Sequence, residues 1–138
     1  MSNLQAFMVP NVATTREVIV SERFKDENGN VKPFVIKTLS QEEADQVSKS
    51  ATLPVKKNGV IVDEMLDKTE FGKALVLACV VEPNLQDAEL CKFYKTLNPK
   101  DVPNKMLRAG EYTRLVKAIN EFNGFNESIA DLEEEAKN

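Results

Sequence analysis

Histidine and tryptophan are missing from this 138-residue chain, and cysteine occurs only at Cys79 and Cys91. Without histidine there is no Ser-His or Cys-His dyad and no neutral imidazole to hold a metal. Carboxylate or lysine chemistry would need a constellation of groups, and none is visible, so the chain reads as a binding protein and not an enzyme. Two cysteines outside any CxxC spacing make neither a disulfide framework nor a zinc site. They read as two buried free thiols in a reducing compartment. Long apolar runs are missing as well. The longest, from Ala74 to Val81, has eight residues, against the roughly 20 that span a bilayer. The first residues lack the basic and apolar stretches of a signal peptide, so the expected location is the cytoplasm, with no membrane partner. The sequon Asn126-Glu127-Ser128 therefore carries no weight.

What is present suits one domain: 42% hydrophobic and 29% charged residues, enough for one modest core. The charge is unevenly placed. From Glu127 onward there are five acids and one base, while the preceding 126 residues hold 17 of each, so the net charge of −4 resides in the tail. The expected organisation is a single domain over 1–126 and an acidic, flexible tail over 127–138. A neutral body gives no global attraction for nucleic acid or an anionic membrane.

The pattern along the chain predicts an α+β fold, a hairpin-rich first half packed with a helical second half. Leu4, Phe7, Met8 and Val9 precede Pro10 and suit a single helical turn or an arm. Arg16–Phe24 and Val31–Leu39 read as strands around the turn Asp26-Glu27-Asn28-Gly29-Asn30. In the second strand Phe34 and Ile36 share one face, and Pro33 argues for a sheet edge. Ser40 and Glu43 form a capping box opening a helix to about Ser50, with Ala44 and Val47 inward. Asn58-Gly59 between Pro54–Lys57 and Val60–Val62 is a strong hairpin signal. Asp67 caps a helix to about Val81, lined by Phe71, Ala74, Leu75, Ala78 and Cys79, with a buried strand as the alternative for this β-branched stretch. Asn84 is expected to cap a helix over 85–97, and a short helix over 104–109 to end at Gly110. The clearest helix then starts at Glu111, carries Tyr112, Leu115, Val116, Ile119 and Phe122 on one face, and stops at Gly124.

Three apparent motifs carry less than they suggest. Gly72-Lys73 resembles the end of a phosphate loop, but Asp67 and Ala74 stand where glycine and a hydroxyl are required. Asp63, Glu64 and Asp67 cluster without the glycine and distal glutamate of a calcium loop, and helix capping accounts for Asp67. Lys92, Lys95, Lys100, Lys105 and Arg108 against Asp101 give 92–108 a local charge of +4. With Phe93 and Tyr94 among them they suit either a nucleic-acid face or a solvated helical surface over core aromatics.

At Met106-Leu107-Arg108-Ala109-Gly110-Glu111-Tyr112 the chain resembles the XkdN-like phage tail assembly chaperones. The likeness continues through Leu115, Ile119 and Asn123-Gly124-Phe125 to the ending Glu134-Glu135-Ala136-Lys137-Asn138. The opening Leu4-Gln5-Ala6-Phe7 adds to it, whereas 51–68 matches weakly. The resemblance implies a non-enzymatic assembly role without cofactor or metal. The chaperone binds the tape-measure protein, keeps its hydrophobic helices soluble, helps recruit tail-tube protein, and is absent from the finished particle. It also implies a longer product made by a −1 frameshift. Lys137-Asn138 can be encoded AAA-AAC, and a gene without that A-run or an overlapping frame would exclude it. An apolar surface for helical clients is then expected. The candidates are Met106, Leu107, Tyr112, Phe122 and Phe125, since the last helices carry more large side chains than one buried stripe requires. All five suit the core as an alternative, the favoured reading for Tyr112 and Phe122, while Met106 suits the surface best. Self-association is compatible with this reading. The alternatives are a structural protein retained in the tail and a small DNA-binding regulator using the basic 92–108 segment.

Overall fold

The computed structural model describes residues 3–125. A 3-10 turn at Asn3–Phe7 leads to strand β1 (Thr15–Val18), then β2 (Phe34–Lys37), helix α1 (Gln41–Ser50), β3 (Thr52–Lys57), β4 (Val60–Leu66), α2 (Lys68–Cys79), β5 (Val80–Glu82), α3 (Ala88–Phe93), α4 (Val102–Met106) and α5 (Ala109–Asn123). The α+β expectation holds. The proposed tail at 127–138 lies outside the described residues.

Strands β1, β2 and β5 form an antiparallel sheet in that order. Its first hairpin pairs Thr15 with Lys37 and Val18 with Phe34. One further bridge, Lys25 to Val31, closes the expected turn, where Asp26 Oδ1 accepts from Asn28 and Asn30 N–H and Gly29 takes φ 81°. The strands are shorter than the β-branched runs suggested because Val20 and Ser21 leave the ladder and turn inward. Arg114 holds that departure by donating to the Val20 carbonyl. Pro33 does not mark an edge. It stands one residue before β2, which is the central strand, so its missing N–H removes no ladder bond.

Helix α1 begins as its sequence predicts. Ser40 Oγ accepts from Glu43 N–H, and the Glu43 carboxylate accepts from Ser40 N–H. Asp67 caps α2 by accepting from Thr69 and Glu70 N–H. The apolar run splits at Cys79: Ala74, Leu75, Val76 and Cys79 are buried helical residues, and Val80–Glu82 crosses into the sheet beside β2. Both readings of that run were partly right, with the helix ending where consecutive β-branched residues begin.

Two other boundaries differ from expectation. Asn84 does not cap α3, since its Oδ1 accepts from Gln86 N–H in a local turn and Leu85 is driven into the core. Asp87 does the capping instead. Gly110 does not end a helix either. It lies in the first turn of α5, because Glu111 is the third helical residue and its carboxylate accepts from Arg108 N–H at 2.8 Å. At the other end Gly124 takes φ 74°, the left-handed cap the pattern called for.

The core lies between the three-stranded sheet and helices α2 and α5. Phe34, Ile36, Val76, Cys79, Leu115 and Ile119 meet there, with Val20, Leu85 and Val102 closing its ends. Lys73 meets Asp101 at 3.1 Å and Lys100 meets Glu70 at 3.2 Å, tying α2 to the turn before α4. Strands β3 and β4 form a separate sheet. They are an insertion between α1 and α2, joined at its base by Asp67 N–H to the Ala51 carbonyl.

Candidate interaction surface

The five residues singled out from the last helices do not make one open surface. Met106 is only 9% exposed and belongs to the core, contrary to the surface position expected of it. The short α4 is pressed inward through Val102, Pro103 and Met106. Met106 also forms one wall of a cleft of about 480 Å³ with Phe24, Pro33, Phe34, Val81 and Pro83. Leu107, Tyr112 and Phe122 are half-buried against the core. Tyr112 packs over Gly72, where an added Cβ would lie 3.7 Å from its hydroxyl, and the Arg16 guanidinium covers the Phe122 ring at 4.4 Å. Phe125 alone of the five is exposed, at 46%.

The stretch 106–112 has a structural task. Arg23 Nη2 donates to Glu111 Oε1 at 2.6 Å and to the Met106 carbonyl at 3.1 Å, and its Nε donates to Glu111 Oε2. A two-pronged guanidinium–carboxylate pair of this kind is directional and stronger than a neutral hydrogen bond. It fastens the β1–β2 connection to the α4–α5 corner. Arg23, then Ser21 and the Arg108 N–H, hold the Glu111 carboxyl well below the usual carboxylate range. Asn123 performs a similar service at the far end of α5. It accepts from Leu39 N–H and donates to the Lys37 carbonyl.

The open apolar surface lies elsewhere. Every residue of β4 is exposed, including Ile61 at 60% and Met65 at 63%. Leu53 faces Met65 across the pair and is exposed too. Asn58 and Gly59 both take positive φ, the geometry that twists two strands together. Both strands leave most of their side chains exposed. The sequence signalled the hairpin but not its exposure. Val60-Ile61-Val62 is apolar without alternation, and an alternating strand is what one solvated face would require. The N-terminal segment is a second such region, with Phe7, Met8, Val9 and Val12 all exposed.

The two cysteines differ in burial. Burial pushes the Cys79 thiol up to about 12, leaving it protonated and inert. Cys91 is half-buried and donates to the Leu85 carbonyl. Among the described residues no three His, Cys, Asp or Glu side chains group to hold an ion, and no helix is long and apolar enough to cross a membrane. Asp63 accepts from Glu64 N–H and Asp67 is spent on its helix. In the basic 92–108 segment Lys100 is paired with Glu70, and the two helices have six and five residues. The long helix expected over 85–97 is absent.

Comparison with known proteins places this architecture. Residues 4–137 match the family described as phage XkdN-like tail assembly chaperone protein. The chain is 34% identical over 139 residues to XkdN of the phage-like element PBSX of Bacillus subtilis strain 168, covering 96% of this chain and 93% of that one. It is 38% identical over 125 residues to the protein YqbN of the same strain, covering 88% and 83%. A crystal structure of YqbN superposes with a TM-score of 0.71 at 28% identity, over 91% of this chain and 97% of the other.

Proposed function

The chain belongs to the XkdN-like phage tail assembly chaperones, and we propose that its client is the tape-measure protein, which it keeps soluble while the tail tube is recruited. On this reading it acts without catalysis in the cytoplasm of the bacterial host and leaves before the particle is complete. The observation that carries the proposal is the β3–β4 hairpin. Two-stranded hairpins are marginal in water on their own, and large apolar side chains left exposed along both strands of one mark an interaction site. Leu53, Ile61, Val62 and Met65 therefore offer a binding surface to a client with long apolar stretches. Because the hairpin is inserted between α1 and α2, a client can engage it without disturbing the core.

Coexpression with the tape-measure protein tests this. The client should be soluble and copurify with the native chain, and should fall into the insoluble fraction with the double variant Ile61→Asp, Met65→Asp. A client that is soluble alone, or that both proteins capture equally, would overturn the proposal. Presence of the chain in purified tails would favour a retained structural subunit instead.

A further inference from the structure

The segment ahead of β1 is an uncharged arm. The first charged side chain in the sequence is Arg16, and every residue from 3 to 17 is exposed. Phe7 is 81% exposed, with Met8, Val9 and Val12 close to it. The 3-10 turn at Asn3–Phe7 is closed locally, Met8 N–H donating to the Gln5 carbonyl. Pro10 then keeps Val9 out of the helical region, so the arm runs on extended. It is rooted at Thr14, whose N–H donates to Thr38 Oγ1 at 3.0 Å while Thr38 N–H donates to the Thr14 carbonyl at 2.9 Å.

The cleft of about 480 Å³ beside Met106 matches this arm in chemistry. Phe24, Pro33, Phe34, Val81, Pro83 and Met106 line it. The Phe24 and Phe34 rings stand 5.7 Å apart and tilted, and a third aromatic ring packs well against such a pair. At its rim Lys32 and Glu82 neutralise each other at 3.2 Å, so an uncharged segment suits it better than a charged one. No described residue of the arm lines this cleft. The arm's root at Thr38 lies one residue beyond the end of β2, about 13 Å along the strand from Phe34.

We propose that the arm seats in this cleft on a second copy of the chain, Phe7 packing against Phe24 and Phe34, and that two copies exchange arms reciprocally. At roughly 100–150 Å² each, Phe7, Met8, Val9 and Val12 offer about 500 Å² per arm. Two arms, with the surfaces they cover, bury about 2,000 Å² in all, the upper end of the range for specific interfaces. A two-fold exchange also closes the assembly at a pair. The hairpin takes no part in it, so the pairing does not depend on the client.

Sedimentation of the full chain at rising concentration tests this, and the mass should double from one copy to two. Phe7→Asp and Val81→Arg, both at positions exposed in the single chain, should each hold it at the single mass. An equal mixture of the two variants keeps one sound arm and one sound cleft per pair, and should regain the doubled mass. Should Val81→Arg fail to fold, Phe7→Asp decides alone. A native chain that stays single at every concentration would overturn the proposal, whether its arm is free or folded onto its own cleft. So would pairing that survives Phe7→Asp, a mixture of folded variants that stays single, or assemblies larger than two.

Discussion

The corner at 106–112 and the hairpin at 52–66 are opposites. The corner carries the residues by which the chain resembles its family, and its Glu111 is buried, doubly bonded to Arg23 and used to start α5. The hairpin leaves large apolar side chains exposed on both of its strands and is hydrogen-bonded to the body at its base. A recognisable signature in this protein therefore marks how the domain is assembled. The partner surface proposed above lies outside that signature. Structural demands at the corner are specific, because a carboxylate, a guanidinium and a helix start must coincide. Demands on the hairpin are generic, because any apolar β-forming residues satisfy them.

Substitutions should separate the two regions, first by stability. Ile119→Ala and Leu115→Ala, both in the core, should each lower unfolding free energy by about 2–5 kcal/mol in urea titrations. Equal losses from Ile61→Ala would erase the contrast.

Acid should distinguish the corner next. Glu111 is held below its ordinary value of 4.5, chiefly by Arg23. Its stabilising contribution is therefore complete above that value and is lost as the pH falls through the lower folded one. Glu43 shifts the same way, from the Ser40 backbone first and then Lys37. Glu111→Gln should lower the urea midpoint at neutral pH and shrink the decline below pH 4.5, leaving the Glu43 part. An unchanged midpoint would remove the corner from the account.

A smaller loss is expected at the end of the same helix. Gly124→Ala places a side chain at φ 74°, which should cost about 1–2 kcal/mol by thermal or chemical unfolding. The smallest stability effect belongs to the hairpin. Ile61→Asp with Met65→Asp should change unfolding free energy by about 0.5 kcal/mol or less per site, while abolishing client capture. A large destabilisation would mean that the hairpin packs in solution.

Much of this fold was legible in local chemistry. Ser40 with Glu43, Asp67, Asn58-Gly59 and Gly124 each act through near neighbours, so the short-range pattern located them correctly. What failed were positions settled across long separations. Asn84 lost its capping role because Leu85 is needed in the core, and Gly110 joined α5 because Glu111 pairs with Arg23, 88 residues away. Met106 is buried for the same reason: α4 is pulled under Arg23. The candidate surface was half legible. The hairpin was evident, but its exposure depended on no other element packing over it, which periodicity within two short strands does not reveal.

Amide hydrogen exchange of the chain, free and bound to the tape-measure protein, tests the central claim most directly. The account predicts that residues 52–66 gain protection on binding while α5, already protected, does not change. Protection gained in α5 with the hairpin unaltered would contradict it.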